Sequence, residues 1–225
     1  MKITYYGHSS LGIEIDGIHI IVDPFITANP KASNIDISTL KADYILLTHA
    51  HYDHVVDVEA IAGRTNATLI ANFEIITYYG QKGLNGHAMN YGGSWNFDFG
   101  TVKMVNAIHT SSFPDGTYGG NPCGFVIQRK DKTIYIAGDT ALTMDMKLIP
   151  MFHKPDFAIL PVGGNFTMDI EEALVASDFI ACNKVLGVHY DTSELITIDH
   201  EASKRKFTDQ GKELILLQIG ENIEL

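Results

Sequence analysis

The sequence is short of basic residues, has little cysteine, and lacks any long apolar run. Lys and Arg number 16 against 27 Asp and Glu, a formal charge of −11 at pH 7. A broad nucleic-acid footprint needs a surplus of cations, so this balance argues against a polyanion-binding chain. The two cysteines, Cys123 and Cys182, lack metal-ligand spacing. They are expected as reduced thiols in a cytoplasmic protein. No apolar run approaches the length of a membrane span. The start lacks a basic segment followed by an apolar stretch, so no export signal is expected. No Pro/Ser-rich linker, charge run or low-complexity stretch divides the 225 residues, and a single domain over 1–225 is expected. There is no Gly-x-Ser-x-Gly elbow to supply a serine nucleophile.

What is present is concentrated in Ile45-Leu46-Leu47-Thr48-His49-Ala50-His51-Tyr52-Asp53-His54, where an apolar run breaks into four metal-binding side chains within six residues. The run reads as a buried strand, and residues 55–62 read as a short helix. His49 and His51 then share one face of an extended strand end, and Asp53 and His54 sit where the helix begins. Three imidazoles and a carboxylate crowded together need a charge to organise them. Imidazole and carboxylate suit Zn, Fe, Ni or Mn. Three more ligand-type residues follow apolar strands: His109, Asp139 and His189. Strand ends are where α/β sheets commonly place chemistry.

Around these, the chain reads as strands and helices in alternation. A first strand covers residues 2–6, and residues 11–15 and 18–22 form a hairpin about Asp16-Gly17, a pair suited to a type I′ turn. Pro24 ends it. Residues 25–40 form a loop long enough to be a pocket wall. A strand at 68–71 and a helix at 73–82 precede a loose, glycine-rich stretch at 83–93. Strands follow at 94–99 and 102–108, then a polar loop at 110–122. Strands at 124–128 and 133–137 flank a turn at Lys130-Asp131-Lys132. A helix at 144–152, a strand at 157–160 and a helix to about residue 181, capped by Asp169 with Glu172, come next. A strand at 184–188, a helix at 199–209 and a strand at 213–219 close the chain. Alternation with buried strands implies sheets covered by helices, an α/β protein.

The spacing His-x-His-x-Asp-His, followed by His, Asp and His, resembles the ligand series of the metallo-β-lactamase superfamily. Further marks are Gly7-His8-Ser9-Ser10, Asp23-Pro24-Phe25, Gly138-Asp139-Thr140 and Gly187-Val188-His189-Tyr190. These are similar to small metal-dependent hydrolases of the L-ascorbate-6-phosphate lactonase-like branch. The resemblance implies a four-layer αβ/βα sandwich and two divalent transition metal ions, with Zn or Mn expected and Fe the alternative. His49, His51 and His109 would hold one ion, Asp53, His54 and His189 the other, and Asp139 would bridge them. Such a pair lies ~3.5–4 Å apart and shares a water, whose pKa the metals lower toward neutrality. The implied activity is hydrolysis of a small ester, lactone or phosphoester by a metal-bridging hydroxide, with Asp53 and His8 as the catalytic candidates. His8 reads equally as a cap of its glycine turn.

Other readings compete. RNA or phospholipid phosphodiesterases carry similar motifs, but the acidic balance weighs against RNA. Flavodiiron-like members carry Glu where this chain has His51, whereas mononuclear iron dioxygenases keep that histidine. The expected walls of the site are residues 25–40, 110–122 and 162–167, in which Lys31 is the only basic residue. A polyanion needs several phosphate contacts, so a small-molecule substrate is expected, with no membrane partner and a homo-oligomer left open. His19, His87, His153 and His200 have no motif context and read as surface or core.

Overall fold

The structure is a computed structural model that describes residues 1–130 and 132–225. The turn expected at Lys130-Asp131-Lys132 includes Asp131, which lies outside the described residues. In chain order the first elements are β1 (Lys2–Gly7), β2 (Ser10–Ile15), β3 (Ile18–Val22), β4 (Tyr44–Leu46) and α1 (Tyr52–Val55). They are followed by α2 (Val58–Thr65), β5 (Thr68–Asn72), α3 (Phe73–Gln81), β6 (Gly86–Met89), β7 (Ser94–Phe97) and β8 (Gly100–Asn106). Next come β9 (Cys123–Arg129), β10 (Lys132–Ile136), α4 (Ile149–Phe152), β11 (Phe157–Pro161) and α5 (Ile170–Phe179). The chain ends with β12 (Lys184–Val188), α6 (His200–Asp209), β13 (Glu213–Ile215) and β14 (Asn222–Glu224). Among the described residues no helix is long and apolar enough to cross a membrane.

These elements form two compact units. Residues 1–90, 110–122 and 218–225 make the first, and residues 91–109 and 123–217 make the second. The first holds a seven-stranded sheet in the order β14-β1-β2-β3-β4-β5-β6. Its early strands pair as antiparallel hairpins, and from β3 onward every pairing is parallel. Asp16 and Gly17 both have positive φ, 51° and 84°, as a type I′ turn requires. The apolar sides of α2 and α3, through Val58, Ile61, Ile75 and Tyr79, pack with Ile45, Leu47 and Leu69 in one buried cluster.

The second unit repeats the plan. Its seven strands run β13-β12-β11-β10-β9-β8-β7, antiparallel from β7 to β10 and parallel from β10 to β13. Helix α5 starts on a complete capping box between Asp169 and Glu172, the reading made from the sequence.

Four elements differ from that reading. The helix expected over 144–152 is a 3-10 helix over Met144–Leu148 followed by the one-turn α4. The helix expected over 55–62 is broken, because Val56 and Asp57 separate α1 from α2. The stretch 83–93 contains β6, which pairs in parallel with β5 from Leu69↔Gly86 to Asn72↔Met89; a strand edge with open N–H and C=O groups recruits even glycine-containing chain. The strand expected over 213–219 stops at Ile215, and the chain turns at Gly220 (φ 93°) to place β14 beside β1.

Candidate metal centre

In the first unit the site is built at the exits of two neighbouring parallel strands, β3 and β4. Strand β4 is apolar and buried, and it delivers Thr48 and His49, each 0% exposed. Beyond the end of β3, Asp23 takes the left-handed conformation (φ 44°) and turns its carboxylate toward that exit. Oδ1 accepts the Thr48 backbone N–H at 2.8 Å, and Oδ2 accepts the Thr48 hydroxyl at 2.6 Å. Oδ2 also accepts from His54 Nδ1 at 2.9 Å.

This carboxylate decides where the protons sit. His54 must carry its hydrogen on Nδ1, because a carboxylate only accepts, so Nε2 is the ligating nitrogen. The Thr48 hydroxyl gives its one hydrogen to Asp23, so across the 3.0 Å contact to His49 Nδ1 it acts as acceptor. His49 therefore also carries its proton on Nδ1 and offers Nε2. One buried acid sets two tautomers, directly for His54 and through Thr48 for His49, which is how outer partners prepare metal-binding histidines.

The ring nitrogens converge. Asp23, His49 and His54 each present a ligand-type atom within 4.8 Å of the others. His49 Nε2 lies 3.1 Å from His51 Nδ1, and the His49 and His54 rings are 4.1 Å apart. Imidazoles gathered this closely in a buried place are a donor set suited to a transition ion. His51 caps the one-turn α1, which carries Asp53 and His54. α1 does not run unbroken into α2, because the backbone N–H of Asp57, the residue before α2, donates to Pro24 O at 3.2 Å. The Asp57 carboxylate accepts from Ile26 N at 2.6 Å, from Thr27 N at 3.0 Å and from the Thr27 hydroxyl. Asp57 thus ties the loop after Asp23 to the head of α2.

His8 joins the same cluster. It follows Gly7 (φ 101°) and itself sits at φ 55°; a Cβ on Gly7 would lie 2.7 Å from Asn29 Nδ2, so only glycine fits this turn. The turn aims His8 Nε2 at Asp53 Oδ2, 2.9 Å away, with the ring edge-on to Phe25 and His54. His8 is therefore placed on a candidate ligand. The loop 110–122 is held at the other side of the histidine strand. Ser111 Oγ accepts Ala50 N at 3.1 Å and donates to Gly119 O, and Asn72 Nδ2 donates to Gly119 O at 2.8 Å.

In the second unit three strand exits meet at Asp139, a carboxylate 2% exposed. Its Oδ2 lies 3.0 Å from His189 Nε2 and 3.7 Å from His109 Nε2. The exits of β8 and β10 are laced by Ile108 N to Thr140 Oγ1 and Ala141 N to Ile108 O, both 3.0 Å. His189 follows β12 at φ 58°. His8, Asp23 and His189 are thus all held in a conformation that costs non-glycine residues of order 1–3 kcal/mol, strain that concentrates at functional sites. Tyr190 is structural, its hydroxyl donating to Leu217 O at 3.2 Å.

The family described as "Beta-lactamase superfamily domain" matches residues 2–189. The chain belongs to this superfamily. Its similar proteins include a UPF0173 metal-dependent hydrolase of Flavobacterium johnsoniae, 69% identical over 225 residues and matched over 100% of both chains. The UPF0173 metal-dependent hydrolase YtkL of Bacillus subtilis is 47% identical, again over 100% of both. Among solved structures, Igni18, a metallo hydrolase from Ignicoccus hospitalis, superposes with a TM-score of 0.90 at 35% identity, covering 100% of this chain and 98% of that one. The chain is a metal-dependent hydrolase with the α/β sandwich of the metallo-β-lactamase fold.

The residues named from the motif fall into the two clusters just described: His8, His49, His51, Asp53 and His54 in the first unit, and His109, Asp139 and His189 in the second. Sequence reading missed Asp23 and Asp57 as parts of the site. Asp23 stood out in the sequence only within the mark Asp23-Pro24-Phe25, which carries no role for its carboxylate until Thr48 and His54 are placed beside it.

Proposed function

We propose that the chain hydrolyses a small lactone, ester or phosphoester at a dinuclear centre, within a single metallo-β-lactamase domain over 1–225, in the cytoplasm. His49, His51 and His109 would hold one ion and Asp53, His54 and His189 the other, with Asp139 as the ligand that would serve both. The observation that carries this reading is the Asp139 carboxylate set against two imidazole nitrogens, since a bridging ligand needs an anionic oxygen flanked by ligating side chains. A His/Asp donor set accepts Zn or Mn, with Fe as the alternative. When bound, such ions lower the pKa of water and polarise the substrate's oxygen.

The protein's own groups do the rest. Asp23 and Thr48 fix the ring nitrogens offered at His49 and His54. His8 donates from Nε2 to Asp53, which holds that carboxylate in one orientation; this hydrogen is also the one available to a reacting oxygen. The wall segments 25–40, 110–122 and 162–167 contain Lys31 as their one basic residue. A substrate with a single anionic group suits them better than a polyanion. The lactone choice rests on the residue marks shared with lactonase-like proteins.

Metal analysis of protein purified without chelator, followed by a panel of lactones, phosphodiesters, thioesters and a structured RNA, tests the reading. About two transition ions per chain and preferential turnover of a small lactone or phosphorylated metabolite are expected. One ion at full occupancy would instead support the mononuclear iron dioxygenase, and preferential RNA cleavage would refute the small-substrate assignment. His8→Ala is expected to keep its metal and lose about 10²–10⁴-fold in kcat, the range for a positioned proton donor. Metal loss in that variant would make His8 a ligand.

A further inference from the structure

The geometry points to a second binding site, in the second unit and separate from the metal-ligand residues, for a small amphipathic monoanion with an apolar body. A cavity of about 460 Å³ lies between β8, β9 and the segment leading into α4. That volume falls in the range of small-molecule sites, which are mostly apolar with a few placed polar groups. This cavity fits the description.

Its floor is one face of the sheet. Lys103 and Val105 alternate onto that face of β8, and Val126 is the direct cross-strand partner of Lys103. Met146 and Ile149 close it from above. Leu148 and Phe152 also line it and remain 54% and 71% exposed, so apolar surface continues from the cavity to its rim. An apolar cleft with such a rim gains by covering a hydrocarbon or aromatic body.

The polar groups select the sign of the ligand. Lys103 Nζ makes one hydrogen bond, to Gly92 O at 2.9 Å, and has no ion-pair partner among the described residues; an ammonium carries three donors, so two remain. His153, placed by its backbone bond to Ile149 O at 2.8 Å, lines the same cavity with a buried Nδ1 that has no hydrogen-bond partner. Burial, and then the nearby positive charge of Lys103, push the His153 pKa down. One of the two neutral tautomers of this ring carries its hydrogen on Nδ1 and donates from there. The one carboxylate of the lining, Asp145, is engaged by Asn106 Nδ2 at 2.7 Å. Asn106 lies three residues further along β8 than Lys103, roughly 10 Å at strand rise. An unpaired ammonium and an imidazole donor at one end, with apolar walls beyond, suit a carboxylate head and its tail.

Calorimetry of the full chain with decanoate and with decanol tests this site. Saturable binding of one decanoate per chain is expected. Lys103→Met should weaken it by about tenfold or more, the loss of one charge-assisted hydrogen bond, while decanol binding stays within about twofold and hydrolysis is unchanged. His153→Phe should weaken decanoate in the same direction, a check independent of any misfolding by the first variant. Absence of saturable decanoate binding would overturn the assignment, as would equal affinity in wild type and Lys103→Met. So would a Phe152→Asp variant that converts an oligomer to monomer in sedimentation, because a second copy would then be what covers this face.

Discussion

Asp23→Asn is expected to fold but to lose metal by about 10–100-fold in affinity, the range for an outer partner of a ligating histidine. The reasoning is one of proton direction. The Thr48 backbone N–H cannot reverse, so the new amide must keep its oxygen at the Oδ1 position and present NH₂ where Oδ2 was. There it donates to His54 Nδ1 and to the Thr48 hydroxyl, both of which now donate to Asp23. His54 shifts its proton to Nε2, and Thr48 turns its hydrogen toward His49 Nδ1, shifting that proton to Nε2 as well. Two ligating nitrogens are blocked by one isosteric change. Asp23→Ala is harsher. It leaves three buried donors without their acceptor, at about 1–3 kcal/mol each, and should lower the melting temperature as well as metal content. Metal analysis and thermal unfolding of the two variants separate the effects. Wild-type metal content in Asp23→Asn would show that the tautomers are set elsewhere.

Asp139→Ala is expected to lose metal affinity and hydrolysis together, each by more than the roughly 100-fold at the upper end for outer-shell partners. In the second unit both candidate histidines address this one carboxylate, at 3.0 and 3.7 Å. Removing it takes away the negative charge between them and the oxygen proposed to bridge two ions. Metal stoichiometry and kcat/KM measured on the same preparation decide the matter. A variant with wild-type values of both would reduce Asp139 to a strand-end residue. Retained metal with lost activity would assign it to catalysis alone.

Much of this protein is legible in its sequence, and the legible parts share a property: the signal and the structure lie within a few residues of each other. The Asp16-Gly17 turn shows the positive φ values its composition demands. The capping box at Asp169 and Glu172 forms as spaced. The motif from His49 to His54 sits at the exit of a buried strand, and His109, Asp139 and His189 follow theirs.

What the tertiary structure decided lies in partners that are distant in sequence. Residues 55–62 have helical periodicity, yet the helix breaks at Asp57, because its backbone N–H is given to Pro24 O, 33 residues earlier, while its carboxylate holds Ile26 and Thr27. Strands β6 and β14 exist because β5 and β1 had edges to pair with, something neither segment's own composition states. His8, ambiguous as a residue after glycine, acquires a role only through Asp53, 45 residues on. His153 had no motif context at all and gains one only when Lys103 is set beside it. The sequence by itself determined which residue types reach the strand ends, since local pattern and turn chemistry are enough for that. Only the fold could decide which carboxylate faces which imidazole, and hence which ring nitrogen is left to bind, because a proton's position depends on the group across the hydrogen bond rather than on the neighbour along the chain.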